Sequence, residues 1–347
     1  MRNILCVTLI ALLGGCTSTS VTEKYQDKRN DIINVKDKVI EFETGNVLIG
    51  SVSRLYMSNK CLLIADHKSV DKQIHIFNKN DFSYLTSIGN FGEGPEEITV
   101  MGCLAIDEAH HQLYVSDHAK QKIFSYDMDS VMVDSLYKPQ VKTAMNETLF
   151  PSEYQYINDT LSIAVLIKPT STSTFNQFLG RWNMNTGEMI PMKYTHPDIQ
   201  KKRITFAASE KAGIYVECYT RHDLMTICSL DGELLYNIYG PDWDGGNGNK
   251  LQSFGTVMIG NDKIFVSYCG EDYARDSFPT KILVFDLEGN YLKTLETGYK
   301  ISDCCYDSFN NRIILSLNDV VQFAYLDIDG IISVSYTHLR AHETEAD

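Results

Sequence analysis

Two spacings in this 347-residue chain place chemically useful side chains where a fold could unite them. Asp66-His67 and Asp117-His118 each follow an apolar run of the same kind. Brought side by side, two histidines and two carboxylates would suit a metal or acid–base work. Duplication of a structural repeat produces the same echo without any site. The segment Asp242-Trp243-Asp244-Gly245-Gly246-Asn247-Gly248-Asn249 alternates oxygen ligands on a glycine-bent loop, so Asp242, Asp244 and Asn247 could wrap a calcium ion. It lacks the terminal bidentate glutamate of an EF-hand loop, and a Gly- and Asn-rich connection reads the same way. No other cofactor is indicated. Nucleophilic catalysis has no support, because the chain carries neither a Gly-x-Ser-x-Gly elbow nor a His-Glu-x-x-His helix, and no catalytic residue is assigned.

Apart from Cys6 and Cys16, the cysteines are Cys61, Cys103, Cys218, Cys228, Cys269, Cys304 and Cys305. An odd number without a Cys-x-x-Cys pair suits neither a disulfide framework nor a zinc site. Most lie in apolar strand patterns, where a thiol acts as a small hydrophobe. Adjacent Cys304 and Cys305 would point to opposite faces of a strand and so could not act together.

The elements that position these residues repeat. An apolar residue, then Asn, Asp, or Ser, then a spacer and an acidic or amide residue recurs as Phe77–Asn80, Tyr126–Asp129, Trp182–Asn185, Cys228–Asp231, Phe285–Glu288 and Leu326–Asp329. Gly187, Gly232, Gly289 and Gly330 close four of these turns. Alternating apolar residues flank them, which predicts six hairpins. Upstream of each lies a second pair of strand-like runs, as in Phe254–Ile259 followed by Ile264–Ser267. Four strands thus recur with a period of roughly fifty residues, inside the range of propeller blades. A sandwich would not repeat one four-strand unit six times. The predicted fold is all-β: a six-bladed propeller with four-stranded antiparallel blades over residues 38–333. An open ring would leave blade edges free to pair with other chains, so Val39–Glu43 is expected to latch the last blade.

With the repeat in place, the chain resembles the TolB-like six-bladed propeller lipoproteins, a group related to NHL-type propellers. The likeness is carried by Leu13-Gly14-Gly15-Cys16, by Gly89-Asn90-Phe91-Gly92-Glu93-Gly94-Pro95-Glu96-Glu97, and by the Phe285–Asn290 turn. The group has Gly-x-Gly-Pro-Gly-Glu in the second of these, and Glu96 stands here in place of its last glycine. The resemblance covers roughly residues 40 to 333 and implies an architecture, with no activity attached.

The N-terminus reads as an export signal over residues 1–15: basic Arg2, an apolar run from Ile4 to Leu13, then a lipobox that would leave Cys16 as the lipidated first residue. The apolar run is too short to span a bilayer. Residues 16–37 read as a polar tether, and residues 334–347 fit no blade and look like a foreign or truncated tail, so His338 and His342 are not taken as ligands.

A formal charge of −14 argues against nucleic acid as partner, since phosphate binding needs a basic face. In a propeller, the loops between blades share one rim with the loops between middle strands, and loops on a rigid scaffold carry function. Here that rim collects His67, His118, His222, Trp243 and Tyr273 among acidic neighbours. The expectation is a lipid-anchored, extracytoplasmic binding module in the cell envelope, periplasmic or surface-exposed, taking a protein, peptide or glycan at the rim. The alternative is a calcium-dependent propeller hydrolase or lyase.

Overall fold

The computed structural model describes residues 22–134, 136–246, 251–275 and 277–332. The export signal, Cys16 and the 334–347 tail therefore lie outside the described residues.

Three short strands come first: Glu23–Tyr25 (β1), Ile32–Asn34 (β2) and Val39–Glu41 (β3). Six sheets follow around a common axis. Blade one is Ser53–Met57 (β4), Cys61–Asp66 (β5), Lys72–Asn78 (β6) and Tyr84–Asn90 (β7). Blade two is Met101–Asp107 (β8), Gln112–Asp117 (β9), Lys122–Asp127 (β10) and, after the helix Met128–Val133 (α1), Gln140–Ala144 (β11). Blade three is Phe150–Asn158 (β12), Leu161–Pro169 (β13), Phe175–Trp182 (β14) and Met189–Pro191 (β15). Blade four is Ile204–Ser209 (β16), Ile214–Tyr219 (β17), Leu224–Ser229 (β18) and Leu234–Tyr239 (β19). Blade five is Leu251–Gly260 (β20), Lys263–Asp272 (β21), Lys281–Asp286 (β22) and Tyr291–Glu296 (β23). Blade six is Ile301–Asp307 (β24), Arg312–Leu317 (β25) and Phe323–Asp327 (β26), with β3 as its fourth strand.

Middle strands lie between neighbouring blades and are buried on both faces, which is why β5, β17 and β25 are buried throughout. Between blades one and two, Leu63, Ala65, Ile74 and Ile76 pack against Leu104, Leu113, Val115 and Phe124. Each large aliphatic or aromatic side chain buried this way contributes about 1.5–3 kcal/mol. Cys304 packs in the cluster between blades five and six and Cys305 in the one between six and one, on opposite faces as expected.

The ring closes as predicted. Val39 and Glu41 pair antiparallel with Leu326 and Ala324. At the same seam, the buried Asp303 carboxylate accepts from the Leu55 N–H of blade one at 2.8 Å and the Thr256 hydroxyl of blade five at 2.7 Å.

Two expectations need correction. In blade two the Tyr126–Asp129 turn opens into α1, because Asp127 caps a helix by accepting the Ser130 N–H at 2.7 Å, and the outer strand starts only at Gln140. The tether reading fails for residues 22–37. β1 pairs parallel with β19 and β2 parallel with β23, so the segment straps the outer edges of blades four and five. Arg29 anchors it: Nη1 lies 2.8 Å from Asp223 Oδ1, with the two side chains 8% and 0% exposed. The strap's strands are only three residues long, too short for alternation to mark them.

Candidate functional site

The five candidate rim residues fall into two groups. His67 follows β5 and His118 follows β9, both against the start of β8: His67 Nδ1 lies 3.2 Å from the Met101 carbonyl oxygen, while His118 sits beside Gly102, where a Cβ would come within 2.3 Å of its Nε2. Burial lowers both pKa values, so both rings are neutral at pH 7. Their aspartates are structural. Asp66 accepts from the Gly50 and Lys68 N–H groups, and Asp117 from those of Thr99, Val100, Ala119 and Lys120. Each carboxylate thereby pins an inter-blade loop to the turn beneath it. Among the described residues, these two histidines and two aspartates do not converge into a metal-binding group.

The second group is compact. Trp243 lies with ring centroids 5.1 Å from Tyr239, 5.7 Å from His196 and 5.9 Å from His222, and Tyr25 of the strap stacks on Tyr239 at 4.5 Å. His196 and His222 are buried and Trp243 half-buried, so much of this cluster holds blade four together. Burial lowers the pKa of both histidines. At its edge Tyr273 is exposed, with the Arg221 guanidinium 4.0 Å from its ring centroid. This part of the rim presents Trp243, Arg221 and Tyr273 beside the exposed acids Asp242 and Asp244.

Of the three calcium-loop candidates, Asp242 and Asp244 lie among the described residues. The Tyr268 hydroxyl donates to Asp242 Oδ2 at 3.3 Å, Asp244 Oδ1 lies 3.7 Å from His222 Nδ1, and Asn247 lies outside the described residues. No further His, Cys, Asp or Glu joins the two aspartates among the described residues. One other group, Asp107, His110 and Asp159, has ligand atoms within 4.8 Å of one another. There Asp107 caps its own turn by accepting from the His110 N–H at 3.1 Å, as Asp307 does for Asn310 at 3.3 Å in blade six.

The axial channel was missed by the sequence reading. A cavity of about 320 Å³ lies on the propeller axis, lined by the innermost strands of all six blades. Arg54 of blade one reaches past blade two to Glu153 of blade three, Nη1 to Oε1 3.0 Å and Nη2 to Oε2 3.5 Å. Their side chains are 37% and 41% accessible although protein surrounds them, so the pair faces the cavity. Charged residues inside otherwise apolar innermost strands were the available signal, legible only once the repeat fixes which strand lines the axis.

The segment Gly89–Glu97 is held by its own Glu97 and by Lys120 of blade two. Glu97 accepts the Gly94 N–H at 2.8 Å, and Lys120 Nζ donates to the carbonyl oxygens of Gly94 and Glu97 at 2.6 and 2.5 Å. A Cβ at Gly92 would meet the Glu97 carboxylate at 2.0 Å, which accounts for that glycine.

Solved structures of similar fold share little sequence with this chain. A Bacteroides fragilis protein described as a candidate exported protein is 14% identical, with 85% of this chain and 87% of that one covered at a TM-score of 0.55. A Bacteroides vulgatus member of the DUF4221 family is 11% identical, covering 86% and 98% at 0.56. The Cps50 (Swd1) β-propeller domain of Myceliophteria thermophila is 10% identical, covering 83% and 98% at 0.52. No curated protein matches the chain. Residues 18–176, ending inside blade three, match the family model DUF5128, described as a 6-bladed beta-propeller, and the six sheets observed here have that architecture.

Proposed function

We propose that this propeller is an extracytoplasmic binding module, held to a membrane by lipid on Cys16, that takes a neutral or basic partner at the rim of blades four and five. The observation carrying the reading is the exposed edge of Trp243, Arg221 and Tyr273 on a buried aromatic base that fixes their positions. Trp, Tyr and Arg side chains supply much of the energy of binding hot spots because they bury large areas and still offer hydrogen-bonding edges. The rigid base lowers the ordering cost of association. His67 and His118 extend the same rim toward blades one and two. A protein with 45 acidic against 31 basic residues disfavours anionic partners.

The Leu-Gly-Gly-Cys register and the likeness to TolB-like propeller lipoproteins support export and anchoring, and a structural relative described as a candidate exported protein is consistent with that compartment. Cys16→Ser is expected to release the protein from membranes on carbonate washing. Equal retention would sink the anchor. The partner is sought by crosslinking and pull-down from intact envelope, beside a glycan array, comparing the native protein with a variant carrying alanine at His67, His118, His222, Trp243 and Tyr273. Capture that survives all five replacements means the rim is not the site. Turnover of a lactone or polysaccharide by the purified domain would favour an enzyme instead.

A further inference from the structure

We propose that the axial chamber is a second binding site, independent of the rim, that accepts one ring of a neutral polyhydroxylated sugar against Arg54 and Glu153. Its volume of about 320 Å³ falls at the lower end of small-molecule sites, roughly 300–1,000 Å³. The room comes from small residues, among them Cys103 and Ala105 on β8 and Ala207 and Ala208 on β16, which line it. From Arg54 and Glu153 the chamber runs along the innermost strands to Glu108 and Tyr156, near the turns joining first and second strands. That end of the propeller is opposite the rim.

The charge arrangement selects the ligand class. Arg54 and Glu153 neutralise each other, and both remain accessible from the chamber. Asp303 is 6% exposed, with its oxygens committed to Leu55 and Thr256. Glu108 at the mouth accepts the Asn59 N–H at 2.7 Å. An ion entering the chamber would lose its hydration without gaining a free counter-charge. A sugar hydroxyl both donates and accepts, so adjacent hydroxyls can accept from the guanidinium and donate to the carboxylate without either ion leaving its partner. Arg54 uses two donor nitrogens on Glu153, and its accessible area marks donor capacity facing open space. Half-buried Tyr156 and Tyr306 supply apolar ring surface nearer the mouth.

The test is ligand-observed saturation-transfer NMR followed by titration calorimetry, with methyl α-glucoside, methyl β-galactoside and N-acetylglucosamine as probes and lysine and glutamate as ionic controls. At least one sugar is expected to bind in preference to both ions. Glu153→Gln and Arg54→Met are each expected to weaken it roughly tenfold or more, because each removes a charge-assisted hydrogen bond. Ala208→Phe, which fills the chamber, is expected to abolish binding, and melting curves check that each variant folds. The isosteric Glu153→Gln keeps the test intact should the larger side chain disrupt blade four. Absence of binding by all three sugars at millimolar concentration overturns the site, as does preference for lysine or glutamate. Sugar binding that survives Ala208→Phe but vanishes in His222→Ala/Trp243→Ala belongs to the rim and equally overturns it. Partner capture that survives the five rim replacements while axial sugar binding is retained sinks the rim reading alone.

Discussion

Replacing Arg29 by alanine asks whether the N-terminal strap is part of the fold. The guanidinium lies 2.8 Å from Asp223 in a site where neither side chain is more than 8% exposed, and it lies near the rings of Tyr268 and Phe285 at 5.4 and 5.7 Å. Burial pushes the Asp223 carboxyl pKa up, and Arg29 opposes that shift. Without Arg29, the bonds left to the carboxylate among the described residues are long, from the Asp242 N–H at 3.2 Å and from the Tyr268 hydroxyl, shared with Asp242, at 3.5 Å. Breaking a buried pair from one side costs about 3–5 kcal/mol. Proton uptake by Asp223 limits the loss, so about 3 kcal/mol is expected at pH 7. The deficit shrinks on acidification, because a protonated Asp223 no longer needs the guanidinium. At about 2–4 °C per kcal/mol for a domain of this order, Tm falls by roughly 6–12 °C. Arg29→Ala combined with Asp223→Asn removes the unpaired charge and recovers part of the loss. Urea unfolding followed by Trp182 and Trp243 fluorescence measures the stability, and hydrogen exchange follows the Gln26 and Val35 amides, which bond to Tyr239 and Glu296 at 2.9 Å. An unchanged midpoint with both amides still protected would refute the strap's contribution.

Three further outcomes follow from the same geometry. Gly289 has φ +80° and a Cβ there would meet Ile238 at 2.6 Å, so Gly289→Val is expected to cost about 1–3 kcal/mol, and an unchanged Tm contradicts this. Burial holds His67, His75, His118, His196 and His222 below their ordinary value of 6.5, so the unfolded chain takes up more protons than the folded one as the pH falls through 6.5. Only exposed His110, raised by Asp107, opposes them among the histidines with resolved shifts. The histidine contribution is therefore fully present above about pH 6.5 and declines below it; it is expected to outweigh the opposing upward shifts of the buried Asp223 and Asp303 carboxyls, and a urea midpoint higher at pH 5.5 than at pH 7.5 would refute that. The seven described cysteines are buried and their thiols pushed up by burial, Cys228 to about 11 and Cys103 to about 12. They should react with a disulfide reagent only after denaturation, and prompt modification of the native protein would refute their burial.

Much of the ring was legible because propeller blades repeat a local pattern: the turns at Gly187, Gly232, Gly289 and Gly330 all have positive φ, and the β3 latch pairs where closure requires it. What escaped depends on contacts between distant residues. Glu23–Tyr25 and Ile32–Asn34 become strands only because the edges of blades four and five are there to pair with. The Tyr126–Asp129 turn looked like its counterparts, yet Asp127 spends its carboxylate on a helix cap. The rim could be placed from loop order alone, but not the division between His67 with His118 and the Trp243 cluster. Nor could spacing tell that Asp66 and Asp117 are consumed by backbone N–H groups. Arg54 and Glu153 are 99 residues apart and meet across a channel that exists only when all six blades are in place.

The central claim, that the rim of blades four and five is the binding surface, is tested most directly by site-specific photocrosslinking in intact envelope. A photoreactive phenylalanine analogue is placed at Tyr273, 47% exposed on that rim, or at Val141, 51% exposed on the outer strand of blade two. The account predicts a discrete adduct from position 273, lost when Trp243 and His222 are also replaced by alanine, and none from position 141. An adduct from position 141 with none from 273 would contradict it.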